Sequence, residues 1–366
     1  MNSFYSKTEG KFQEGETITS DKVMWTIRLL RTVGSPFAKE TEYPKNSHDS
    51  MELYRCAQKN RMTLLYLTAL KKWDRLGEFK KTYDDMYEQS LGTYDAISRV
   101  SETLNKAHVQ YTLFKTIRPY QCTTVDIDII ILKSQREYEK SIKALVNAGY
   151  KKLGSGPQST TVEDPSIDMG VDLYREIAVS QIIYLDKNKI GSYTTERNVL
   201  PNREPVRTLS PSADLAALIA HSLIKEHMYT LSEYYSTLYF LAQLDIENIK
   251  SFIEIVRENA IVKAAQVHIG ITAKLHEVAQ GKVPKKIEKI TEELGVDYLE
   301  TRRLENSFET PHKFHPITVM RTMFEKVERE EKTRRSIAKQ ITSMLNPNFS
   351  VTFIKEFLAH VLRGTY

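Results

Sequence analysis

The sequence predicts an α+β protein: a small mixed β-sheet core flanked by N-terminal and C-terminal helical regions. Three observations predict it. Apolar residues recur at helical spacing before residue 108 and again after residue 210. Between those limits, short runs alternate apolar with polar residues, as half-buried strands do. One such run, Thr124-Val125-Asp126-Ile127-Asp128-Ile129-Ile130-Ile131-Leu132, sets two carboxylates two apart among β-branched residues.

The chain has 366 residues, enough for two or three domains. Hydrophobic residues make up 41% and charged residues 27%, as in an ordinary globular protein. No apolar run approaches a membrane span, and the N-terminus lacks a basic-then-apolar leader, so we expect a cytoplasmic protein with no membrane partner. Two cysteines, Cys56 and Cys122, are too few for a disulfide framework or a zinc site. A net charge of +5 and a pI near 8.8 lean mildly towards polyanionic partners, well short of a nucleic-acid signature.

Residues 1–20 are polar and expected to be disordered. Residues 21–107 read as an N-terminal helical region, interrupted at Gly34-Ser35-Pro36 and by a polar loop at Glu42–Asp49. Leu53, Cys56, Met62, Leu65 and Ala69 carry the helical period through Met51–Trp73. Met86, Leu91, Tyr94, Ile97, Val100 and Leu104 carry it through Tyr83–Leu104. Residues 108–210 form the strand-bearing core. Val109, Tyr111 and Leu113 make a first strand, Arg118-Pro119-Tyr120 a turn, and the aspartate run a second strand. Ser134 with Glu137 reads as a capping box opening a helix that stops at Gly149. A strand starts at Tyr150, a loop covers Gly154-Ser155-Gly156-Pro157, and Ile167–Ile177 and Gln181–Leu185 read as further strands. Residues 211–284 read as a helical domain, opened by Ser210-Pro211 with proline at the first helical position and holding one long apolar segment, Ala213–Leu244. Residues 285–366 form a charged helical region with helices at Phe324–Met344 and Phe353–Leu362.

In a strand, residues two apart share a face, so Asp126 and Asp128 point one way and Val125, Ile127, Ile129 and Ile131 the other. Like charges side by side on a strand repel. A divalent cation removes the penalty, because hard oxygen ligands suit Mg²⁺.

The order of elements extends this reading. Leu113-Phe114-Lys115-Thr116, then Val125-Asp126-Ile127-Asp128, a helix ending in Gly149-Tyr150, Val171-Asp172-Leu173, and a helix with Ala220-His221 follow one another. Over roughly residues 50 to 280 this order resembles the uncharacterised nucleotidyltransferases of the polymerase-beta-type superfamily. The resemblance implies a nucleotidyltransferase core and metal-dependent transfer of a nucleoside monophosphate from a nucleoside triphosphate to a hydroxyl. The acceptor stays open among RNA, protein and a small molecule. Asp126, Asp128 and Asp172 would be the catalytic residues and the ligands of Mg²⁺ or Mn²⁺. Two such ions about 4 Å apart can clamp the attacking and leaving oxygens, and Asp172 is placed to take the hydroxyl proton. Lys115, Thr116, Arg118, His221 and Lys225 would bind the triphosphate. One departure stands out: the superfamily usually has a glycine pair where this chain has Lys115-Thr116, and glycine is what lets a backbone approach phosphate closely.

Two other readings remain open. A degenerate member would bind nucleotide or RNA, or act as a scaffold, without catalysis. A toxin-like member would modify RNA or protein. Individual residues have plain readings too. Asp164 and Asp168 lie near Asp172 and compete with it for the third position. His221 can be a satisfied core histidine and Lys115 a rim lysine. Tyr234, Tyr235, Tyr239 and Phe240 read as core, and Arg334, Arg335 and Lys339 as a solvated helix face balanced by Glu328, Glu330 and Glu331. The Gly154-Ser155-Gly156 loop lacks the Lys-Ser/Thr of a phosphate loop.

Overall fold

The computed structural model describes residues 21–201, 203–299 and 308–346, together with residues 301, 305, 350 and 355. The polar stretch to residue 20 and, Lys355 apart, the helix expected at Phe353–Leu362 lie outside the described residues.

The described residues open with the α-helices α1 (Asp21–Val33), α2 (Ser47–Lys59), α3 (Thr63–Lys72) and α4 (Lys80–Lys106). The expected interruption falls at Gly34, whose φ of 71° reverses the chain. Asn46 then opens α2 by accepting the Asp49 N–H. The core follows as β1 (Tyr111–Leu113), β2 (Asp126–Ile131), α5 (Gln135–Asn147), β3 (Lys151–Ser155), β4 (Ser159–Glu163), β5 (Gly170–Tyr174), β6 (Ile177–Val179), β7 (Ile182–Leu185), α6 (Lys187–Gly191), β8 (Thr194–Arg197) and β9 (Val206–Leu209). Then come α7 (Pro211–Ala220), continued by one π-helical turn over His221–Lys225, β10 (Met228–Tyr229), α8 (Leu231–Gln243), α9 (Ile246–Glu258), α10 (Val262–Gln280) and α11 (Lys285–Leu294). Further along come β11 (His312–Lys313), α12 (Pro316–Arg329) and α13 (Glu331–Met344).

The α+β expectation holds. Seven strands form one mixed sheet in the order β3-β4-β5-β2-β1-β9-β8. β2 runs parallel to β5 and antiparallel to β1. Its two faces meet different layers. Ile127, Ile129 and Ile131, with Val171 and Leu173 of β5, pack in one apolar cluster with Ile97, Val100 and Leu104 of α4 and Leu145 of α5. Ile130 and Tyr174 face the opposite way, into a second cluster that contains α7 and α8. That second cluster also joins Leu29 and Leu30 of α1 to Ile269 and Leu275 of α10, so the N-terminal helices share a core with the helices that follow the sheet. Among the described residues, no helix is long and apolar enough to cross a membrane.

Several expectations need correcting. Ser134 sits at the N-cap of α5 but makes no side-chain cap. It is exposed, where water competes for the hydroxyl, and its carbonyl takes the Glu137 and Tyr138 N–H groups instead. The capping box is at Thr230 and Glu233, opening α8. Gly154 and Ser155 belong to β3, and only Gly156–Gln158 turn. β4 and β8 escape the sequence reading because Thr, Ser and charged residues dominate them, although β-branched Thr suits a pleated sheet, and β9 escapes it because only four residues, Val206–Leu209, carry its alternation. The segment Ala213–Leu244 is two helices. Both bury almost every residue, so no change of pattern marks the reversal, which falls at His227 with a φ of 53°. Phe324–Met344 likewise splits into α12 and α13 at Glu330. Glu330 is not part of a solvated face: it is buried and bonded to Lys326, Lys189 and Thr333.

Candidate metal centre

Strand register builds the acidic half of the site. β2 and β5 pair in parallel with Asp128 opposite Asp172 and Asp126 opposite Gly170. Because successive side chains alternate, all three aspartates leave the same face of the sheet, while their neighbours Ile127, Ile129, Val171 and Leu173 are wholly buried on the other. One carboxylate oxygen from each aspartate lies within 4.8 Å of the others. Asp128 is only 2% exposed, and its Oδ1 is buried with no hydrogen-bond partner. Burial, and then the charge of Asp128, push the Asp126 carboxyl up to about 6. Asp172 is fixed from the sheet: Thr161 Oγ1, opposite it on β4, donates to Oδ1 at 2.5 Å, and the Tyr174 hydroxyl donates to Oδ2 at 3.4 Å. The competing acids are elsewhere occupied or outside. Asp164 is buried against Arg99 at 3.0 Å and accepts from Tyr150, and Asp168 is exposed.

The loop after β1 supplies the first cation. Lys115 Nζ pairs with Asp128 Oδ2 at 2.5 Å. Burial pulls this ammonium down, but Asp128 and Asp126 outweigh it and hold the lysine above its ordinary value. The Lys115 backbone has φ +49°, in the left-handed region that favours glycine. A non-glycine residue there costs roughly 1–2 kcal/mol. Asp214, buried in the first turn of α7, stabilises it by accepting the Lys115 N–H at 2.6 Å. The left-handed turn that suits glycine is thus made here by a lysine. Thr116 serves the same junction, accepting the Asp128 N–H at 2.8 Å and donating to Phe114 O at 3.2 Å. Its hydroxyl is thus used within the strand ends.

The other expected phosphate ligands lie on the helical side. Lys225 donates to the Tyr174 hydroxyl at 3.4 Å, which in turn donates to Asp172. Arg118 donates to Ser236 of α8 at 3.0 Å, tying the post-β1 loop to that helix. Burial, reinforced by Lys115, Lys225, Arg118 and Arg61, holds His221 well below its ordinary value, so the imidazole is neutral at pH 7. Its buried Nε2 makes no hydrogen bond, and Glu226 stands 3.6 Å away. His221 and Lys225 share the π-helical turn, a form found frequently at functional sites. Tyr174, Thr161 and Asp214 were not singled out in the sequence. Tyr174 could have been, since it stands two residues after Asp172 and so shares its face.

The donor set fits a hard divalent cation. It consists of carboxylate oxygens only, and one of them, Asp128 Oδ1, is buried with no other partner. Asp126, Asp128 and Asp172 are the residues that would hold the ion.

No protein-family model and no curated protein matches the sequence. A solved structure described as an antigenic nucleotidyltransferase-like protein from Paracoccidioides brasiliensis is similar at 10% identity and a TM-score of 0.29, over 54% of this chain and 95% of its own.

Proposed function

We propose that the chain is a metal-dependent nucleotidyltransferase that moves a nucleoside monophosphate from a triphosphate to a hydroxyl. The observation that carries this reading is the convergence of Asp126, Asp128 and Asp172 on one sheet face within 4.8 Å. Three acids so placed repel one another and need a counter-cation. A bound Mg²⁺ or Mn²⁺ supplies Lewis-acid stabilisation of charge at the phosphoryl oxygens. The chain's own residues do the rest. The acceptor oxygen attacks the α-phosphorus, the bond to the β-phosphate oxygen breaks, and pyrophosphate leaves with the electron pair. Asp172, oriented by Thr161 and Tyr174, takes the acceptor proton. Arg118 and Lys225 neutralise phosphate charge from the helical side, as point charges and hydrogen-bond donors. The acceptor is a hydroxyl of RNA, protein or a small molecule.

One observation favours the non-catalytic alternative. Asp128 is already paired with Lys115, which partly meets the need for a counter-ion without metal. Thermal unfolding with each of the four triphosphates, in Mn²⁺ or in a chelator, separates the two. Ligand that binds only the folded state raises the melting temperature by mass action. Catalysis predicts a shift that needs metal and nucleotide together, and release of pyrophosphate once the acceptor is supplied. A shift with nucleotide alone, unchanged by the chelator and without pyrophosphate release, supports the degenerate binder.

A further inference from the structure

We infer that this centre takes one divalent cation rather than two, with the Lys115 ammonium standing in the place of the second. The inference rests on the nucleotidyltransferase reading and concerns how that site is charged.

The first argument is occupancy. In a two-ion site a carboxylate shared between the ions through both of its oxygens offers one to each side. Asp128 is the central acid here, opposite Asp172 in register and two residues from Asp126 on the same strand. Its Oδ2 is engaged by Lys115 Nζ at 2.5 Å, and only Oδ1 is left without a partner. One side of the shared carboxylate is therefore filled by a cation that belongs to the chain.

The second argument is anchorage. Lys115 is not a surface side chain that swings aside at no cost. Its side chain is 9% exposed, and Nζ lies 5.4 Å from the centre of the Phe114 ring. Its backbone is set in the left-handed region by the Asp214 carboxylate at 2.6 Å. A divalent ion at that position would sit beside a fixed ammonium, and like charges a few ångströms apart in a poorly solvated site repel strongly.

The third argument is charge. The three carboxylates carry three negative charges and Lys115 returns one, so a single divalent ion brings the cluster to neutrality. A second ion would make it doubly positive before any phosphate arrives. Lys225, reaching Asp172 through the Tyr174 hydroxyl, adds positive charge on the same side and further lowers the need for another ion.

The test counts ions. The full chain is saturated with Mn²⁺ and a non-hydrolysable analogue of the triphosphate that gives the largest thermal shift. Bound manganese is measured after equilibrium dialysis and examined by electron paramagnetic resonance. Wild type is expected to hold one ion per chain with the spectrum of an isolated Mn²⁺. Lys115→Met is expected to hold two, with the spin-coupled spectrum of ions about 4 Å apart. Two coupled ions in wild type overturn the inference and leave the nucleotidyltransferase reading standing. One ion in both proteins also overturns it, because Lys115 is then not what excludes the second. No ion in wild type overturns the metal-dependent reading itself. Should Lys115→Met fail to fold, the wild-type count still decides between one ion and two.

Discussion

Two buried lysine–carboxylate pairs in this molecule look alike and behave oppositely. Lys326 and Glu330, at the junction of α12 and α13, form a closed set. Lys326 Nζ donates to Glu330 Oε2 and to the Asn259 carbonyl, both at 2.7 Å. Glu330 also accepts from Lys189 at 3.0 Å and from Thr333 at 2.9 Å. Lys115 and Asp128 form an open set, with one carboxylate oxygen unpartnered and two further acids alongside. Burial and neighbouring charge act differently on the two lysines. Burial lowers Lys326 and its acid partner does not recover it. Burial also pulls Lys115 down, yet Asp128 and Asp126 carry it above its ordinary value. In the first set one carboxylate meets two ammonium groups and has both oxygens engaged, so no acid is left over. The second has acid to spare, and surplus buried acid is what a structural pair has no use for and a cation site requires.

The largest effect that tests this contrast is chemical. Asp128→Asn keeps the shape and removes one charge of the surplus. Losing an outer partner of a metal ligand costs 10–100-fold in affinity or activity, so, if Asp128 is a ligand as proposed, its loss should lower the proposed nucleotidyl transfer by more than about 100-fold. The Mn²⁺-dependent rise in melting temperature should vanish with it. Transfer at the wild-type rate would show that the chemistry lies elsewhere in the molecule.

Next is a stability effect on the closed pair. Glu330→Ala strands Lys326 in the interior, and breaking a buried pair in this way costs about 3–5 kcal/mol. Urea denaturation should show that loss with no change in metal binding. Asp128→Asn should cost less than half as much in a chelator, because Asp126 remains within range of Lys115 and the repulsion among the acids is relieved. Equal losses for the two variants would collapse the distinction and make Lys115–Asp128 a second strut.

Much of the fold was legible because it follows local periods. The alternation of Asp126 and Asp128 with Ile127 and Ile129 put the acids on one face, and the structure keeps them there. Asp172 followed from motif order, and its register with Asp128 accounts for the convergence. Other features were illegible for a physical reason. The Lys115–Thr116 pair reads as the loss of a glycine turn, because sequence shows residue type and not φ. The partner that supports that turn, Asp214, is 99 residues away in the chain, and no local pattern announces it. Glu330 reads as one of several helix-surface acids, since the Lys189 ammonium that meets it comes from a distant element. The break between α7 and α8 is hidden for the opposite reason: both helices are buried nearly all round, so neither has a polar face to lose.

The smallest expected effect concerns Asp214, which stands between the two kinds of pair. It is 3% exposed, has no ion-pair partner within bonding range among the described residues, and holds Lys115 through a backbone N–H alone. Burial raises its carboxyl to about 6 against the opposing backbone hydrogen bond from Lys115. Folding therefore favours the protonated acid. The stabilisation from this group is fully present below its unfolded value near 4 and is lost as pH rises through about 6. A displacement of about two units corresponds to at most about 3 kcal/mol. Asp214→Asn removes the titration but leaves a carbonyl oxygen to accept the Lys115 N–H. Wild type should then lose stability relative to the variant between pH 4 and pH 6.5. Asp126 titrates in the same range in both proteins and cancels in the difference. Urea midpoints across that range decide the matter. Parallel curves would mean that Asp214 keeps its charge at no cost. That would require a cationic partner closer than Arg118 or Arg197, and the carboxylate would then belong to the charged site rather than to the scaffold beneath it.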